Sequence, residues 1–145
     1  MNKLEQGSSP IPLESLISVL YGIDLVVQKD KNVSQARNKV SALASRSGEL
    51  FIAKSFGAQE GSTHRIQDEV NLYDYLRSSG IRTPSVVRDT EGKSVVEVDF
   101  EGKKIRMILM RYEDLERLRA ESISESDVPK IGIAVGRMHK SLERY

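Results

Sequence analysis

The chain has 145 residues, 39% of them hydrophobic and 30% charged, with 22 Lys and Arg against 21 Asp and Glu and a formal net charge of +1. That balance suits a soluble globular protein of one ordinary domain, or one small lobe with part of another, and it lacks the basic excess that phosphate-backbone contacts demand, so no nucleic-acid partner is expected. With no cysteine, two histidines (His64 and His139), no apolar signal core and no apolar run long enough to span a bilayer, the composition argues against a disulfide framework, a metal held by this chain alone and a membrane segment, and points to the cytoplasm.

After a polar leader, residues 11–20 predict a short helix with proline near its start, apolar positions at Leu13, Leu16, Ile17 and Leu20, and Gly22 to close it. Residues 25–28 and 38–44 read as strands around a polar loop. The Ser45-Arg46-Ser47-Gly48-Glu49 break then predicts a hairpin into a strand over residues 50–54, with Lys54 at its end. Ser62 or Thr63 can cap the next helix, whose apolar face is Ile66, Val70, Tyr73 and Leu76 and which Gly80 and Pro84 stop.

Strands return at residues 85–88, 94–100 and 105–110, divided by the similar turns Glu91-Gly92-Lys93 and Glu101-Gly102-Lys103, which predicts a meander. In the middle strand Val96, Val98 and Phe100 alternate with Glu97 and Asp99, as in an antiparallel sheet covered on one side by the preceding helix. Residues 113–121 alternate charge at helical spacing, a pattern usual for a solvated face. A last helix starts near Ser126 or Asp127, with apolar positions Ile131, Val135, Met138 and Leu142.

The pair with most chemical meaning is Lys54, on a strand, and Glu69, in the following helix. A lysine held by such a partner is a compact charge suited to neutralising phosphate oxygens brought close by a hairpin loop. Alone, Lys54 would read as a solvated strand end and Glu69 as a surface charge; in this order of elements the functional pair is the better reading. Met110 and Tyr112 default to core or rim, and Ile52 and Val27 are apolar strand residues that could also sandwich a flat ring. His64 reads as exposed and His139 as a structural histidine on or beside the apolar face of the last helix.

Residues 38–43, the Ser47-Gly48 turn and Phe51-Ile52-Ala53-Lys54 resemble strands two and three of the protein-kinase-like superfamily, closest in flavour to its aminoglycoside and choline phosphotransferase branch. Residues 68–76 resemble the helix that carries the ion-pair glutamate. Gly80-Ile81-Arg82-Thr83-Pro84 is similar to the family's lead into strand four, residues 105–113 to strand five and the hinge, and residues 131–140, ending in Met138-His139, to the helix before the catalytic loop. The last is also similar to the small kinases related to the RIO group.

The resemblance implies an α+β lobe with a five- or six-stranded antiparallel sheet and one packed helix, followed by a hinge and a C-terminal helix. The expected parts are residues 1–23 as leader and short helix, 24–112 as the nucleotide-binding lobe, and 113–145 as hinge and first helix of a second lobe. It implies ATP as ligand, with Lys54 and Glu69 at the phosphates, Ser34 and Asn38 in the phosphate loop, and Met110 and Tyr112 at the hinge offering backbone groups to adenine. The loop over residues 30–37 contains no glycine, so serine hydroxyls would replace close backbone amides there. The family's catalytic-loop aspartate and asparagine and its metal-binding aspartate have no counterpart after His139, so an ATP-binding lobe inactive alone is expected, with Mg²⁺ ligands outside the chain. Two alternatives follow: a truncated kinase lobe whose last helix seeks a homodimer or a separate C-lobe, or a non-catalytic module that binds protein through its sheet edge or last helix.

Overall fold

The computed structural model describes residues 11–27, 39–57, 61–112, 121 and 123–145. The elements are α1 (Leu13–Tyr21), β1 (Leu25–Val27), β2 (Lys39–Ser45), β3 (Leu50–Phe56), α2 (Thr63–Ser78), β4 (Ser85–Val87), β5 (Val96–Phe100), β6 (Lys103–Tyr112) and α3 (Asp127–Leu142). The local signals place them. Gly22 closes α1 in the left-handed conformation, φ 64°, which costs glycine nothing for want of a Cβ. The Ser62 hydroxyl caps α2 by accepting from the Arg65 amide at 3.3 Å. Strand β3 runs two residues past Lys54, to Phe56.

The six strands form one antiparallel sheet in the order β1-β2-β3-β6-β4, with β5 also paired to β6. This differs from the meander. Strand β3 occupies one edge of β6 from Arg106 to Tyr112, so β4, opposite Leu109 to Arg111, and β5, opposite Lys103 to Met107, must share the other edge end to end. The link between them is pinned by Asp89, whose carboxylate accepts from the amides of Glu91 and Lys93 at 3.0 and 2.7 Å. The chain thus steps along β6 instead of folding back on β4.

Burial on β6 explains the second departure. Met107, Ile108, Leu109 and Met110 are consecutive and all buried, which in a pleated strand requires cover on both faces. Met107 and Leu109 join Leu43, Phe51, Ala53 and Val96 beneath Ile17 and Tyr21 of α1, while Ile108 and Met110 join Phe56 beneath Ile66 and Val70 of α2. Helix α1, expected as a short helix after a leader, packs on the sheet as well, and it rather than α2 covers the apolar side of β5. Its Ile17 and Tyr21 lie one turn apart on one stripe, enough to close that face.

Helix α3 stands apart from both clusters. None of its residues is buried; Val135 and Leu142 are 41% and 39% exposed, and Ile131 and Met138 only half-buried. Tyr75 of α2 anchors it, donating to the Ser141 carbonyl at 2.6 Å and packing its ring 5.0 Å from that of Tyr145. His139, expected as a structural histidine on or beside the apolar face of this helix, is exposed.

Candidate functional site

The hairpin register decides which side chains share a face. Residues opposite one another in an antiparallel pair point the same way, and successive residues point oppositely. Lys54 pairs with Val40 and Ile108, and Ile52 with Ala42 and Met110, so Lys54, Ile52, Met110 and Tyr112 all belong to the face under α2. Val26 pairs with Ala44 on this face, while Val27 pairs with Leu43 on the α1 face. The candidate partner of Ile52 is thus Val26, not Val27. Val26 is 52% exposed, so this side of the sheet is open at the β1 end.

Two turns into α2, Glu69 reaches the sheet. Lys54 Nζ donates to Glu69 Oε1 at 2.6 Å, with the two side chains 21% and 28% exposed. The Tyr73 hydroxyl, one turn further along the helix, donates to the same oxygen at 3.5 Å. Burial, and then the negative charge of Glu69, raise the Tyr73 phenol above its ordinary pKa, so it stays a donor across the physiological range. The Phe56 ring lies 5.1 Å from the Lys54 ammonium. Lys54 is thus held by a carboxylate that is itself held, and keeps a solvent-accessible side.

A cleft of about 420 Å³ opens at the end of the sheet, lined by Ile52, two residues before Lys54 on β3, and by Tyr112, together with Arg77, Arg82, Arg111 and Pro84. Its volume is that of a small-molecule site, ~300–1,000 Å³. Ile52 and Lys54 are two residues apart on one face, roughly 6.6 Å along the strand. Arg77 donates to the Thr83 carbonyl at 3.0 Å, and Arg111 pairs with Glu49 at 3.3 Å while lying 5.4 Å from the Phe51 ring. An apolar wall with guanidinium groups around it can take a planar ring by stacking and an anionic group by charge.

The structure therefore brings together Lys54, Glu69 and, along the same face, Met110 and Tyr112. Met110 is core, buried against α2, and Tyr112 lines the cleft. Ser34 and Asn38 lie outside the described residues. His64 is exposed, 3.8 Å from Asp68. Among the described residues no group of three or more His, Asp or Glu side chains is arranged to hold a metal ion. No helix among them is long and apolar enough to cross a membrane. Sequence reading missed Tyr73 as the second ligand of Glu69, although its i+4 spacing is a usable signal. It also missed the arginines of the cleft, which come from α2, the loop that follows it and β6.

No protein-family model matches the chain, and no curated protein matches it in sequence. Solved structures do. The amicoumacin kinase hAmiN, in complex with AMP-PNP, Ca²⁺ and Ami, superimposes with a TM-score of 0.74 at 20% identity, over 90% of this chain and 39% of that one. The microcompartment-associated aminopropanol kinase gives 0.66 at 18% identity, over 88% and 38%. The fold is that of a kinase N-terminal lobe. This kinase-like lobe spans less than two-fifths of the length of either enzyme.

Proposed function

We propose that this kinase-like lobe binds ATP for a phosphotransferase. One observation carries the reading: a lysine on the third strand, held at 2.6 Å by a glutamate of the packed helix, stands beside a cleft walled by Ile52 and Tyr112. The base would lie on Ile52 toward Tyr112, with Val26 and Ala42 beside it on the same face, and the phosphates would run toward Lys54. The separation of Ile52 and Lys54 along β3 suits the distance from a base across ribose to its phosphates. Glu69 acts through Lys54 as a positioning residue, and Ser34 and Asn38, before β2, are assigned to the phosphates. AMP-PNP in the hAmiN complex supports a nucleotide in this fold.

In-line phosphoryl transfer needs carboxylates for Mg²⁺ and a group to take the acceptor's proton. We place these outside residues 24–112, in a second lobe reached through residues 113–145. The α3 stripe of Ile131, Val135, Met138 and Leu142, with no member buried, is assigned to contact with that lobe or with a second copy of the chain. The same exposed stripe favours a second reading, a non-catalytic module that binds protein through α3.

Calorimetric titration of the folded chain with ATP and Mg²⁺, beside Lys54→Ala, separates the two. Saturable binding weakened at least tenfold in the variant is expected from the nucleotide reading. No binding by the folded wild type would sink it and leave the protein-binding reading in front.

A further inference from the structure

A second cleft, about 440 Å³, opens between α2 and α3 and shares no residue with the first. Tyr75, Ser79 and Gly80 line it from the end of α2, Arg137 and Lys140 from α3, and Arg144 from the turn just past the end of α3. No carboxylate lines it, and among the described residues none of these three cations has an ion pair or a side-chain hydrogen bond. In a chain with a formal net charge of +1, that is a local concentration of uncompensated positive charge.

Arg137 and Lys140, three residues apart, share one face of α3, and Arg144 joins them at the cleft from the turn two residues past the helix. On the same helical period the apolar stripe falls on the opposite side, so the basic face is the one turned to α2. Complementing the negative end of α3 would account for Lys140 in its last turn, but not for Arg137 before that turn, nor for three cations facing a cleft. Three cations around one cleft match a ligand with more than one anionic group better than a single monoanion. The hydroxyls of Tyr75 and Ser79 add polar partners on the far wall, although the Tyr75 hydroxyl already donates to Ser141 and accepts only.

We infer that the α2–α3 cleft binds a small, multiply charged anion of the diphosphate class. Because one wall comes from each helix, the bound anion also fastens α3, otherwise held through Tyr75, to the helix that carries Glu69.

The test is an amide-resolved NMR titration of the full chain with inorganic pyrophosphate, at ionic strength held constant with NaCl, and with citrate as the carboxylate comparison. Saturable shifts are expected at residues 75–81 and 137–144, with affinity falling roughly tenfold in Arg137→Gln and again in Lys140→Gln, each removing a charge-assisted contact. Lys54→Ala should leave them unchanged, which separates this cleft from the nucleotide site. Both α3 side chains are exposed, so the variants retain the fold. Saturation by citrate as tight as by pyrophosphate would overturn the phosphate assignment. Shifts that never saturate, that vanish in Lys54→Ala, or that persist undiminished in the α3 variants would overturn the site.

Discussion

Replacing Glu69 by Gln tests whether that carboxylate holds Lys54 or merely lies near it. The pair is made at 2.6 Å with the lysine 21% and the glutamate 28% exposed, between the fully solvated and fully buried cases. Exposed pairs contribute ~0–1 kcal/mol and removing one partner of a buried pair costs about 3–5, because a stranded charge cannot reach water. Lys54 keeps a solvent-facing side, so the expected loss is near the value for a charged hydrogen bond discounted for screening, about 1–2 kcal/mol. Urea denaturation of wild type, Glu69→Gln, Lys54→Met and the double variant gives the coupling directly. A coupling energy near 1 kcal/mol is expected, beyond the ~0.3–0.5 kcal/mol by which independent sites depart from additivity. In AMP-PNP affinity, Glu69→Gln should act only through the lysine, so the double variant should bind no worse than Lys54→Met. Additive losses in both stability and affinity would refute the positioning role.

Ile17→Ala should destabilise the lobe by about 2–5 kcal/mol with an unchanged denaturant slope, because Ile17 is 1% exposed against the sheet. A loss under about 1 kcal/mol in the same urea experiment would mean that α1 is a loosely attached leader. Glu101 has φ 49° in the two-residue turn before Gly102, so Glu101→Asn, which tolerates that conformation better, should raise stability by up to about 1 kcal/mol in the melting curve. Phenolate absorbance should show Tyr21 and Tyr73 ionising above the ordinary tyrosine value of 10.0, each raised chiefly by burial. With the folded pKa above the unfolded one, their contribution to stability is complete below pH 10.0 and is lost as pH rises through the folded value, so alkaline unfolding should be shallower in Tyr73→Phe.

Much of this lobe was legible because its signals are local. The Ser47-Gly48 turn, the Ser62 cap and the spacing of Ile66, Val70, Tyr73 and Leu76 each act within a few residues, and they suffice to put Lys54 on a strand and Glu69 on the helix above it. What was not legible depends on partners far away in sequence. Nothing near Val87 or Val96 says that both strands share one edge of β6. Val27, named beside Ile52 as able to sandwich a ring, lies on the other face by parity: in a strand one position is the whole difference between the two faces. Four consecutive apolar residues from Met107 to Met110 were the available sign that the sheet is covered twice.

The place of the ion pair follows from how far α2 reaches across the sheet. Ile66 and Val70 press on Phe56, Ile108 and Met110, so the helix seals the β3–β6 part of its face, while Val26 at the far edge stays in contact with water. Lys54 stands on β3, at the border between the sealed and the open part. Two residues further along the strand, at Phe56, the ammonium would be taken into the apolar cluster, where burial disfavours charge. Two residues back, at Ile52, it would stand in the wall of the cleft, where the proposed base needs apolar contact. Position 54 alone lets one lysine be fixed by Glu69 and still meet a ligand from solvent. On the proposed reading a charge that neutralises phosphate uses both properties, since a free lysine spends the binding free energy on its own ordering.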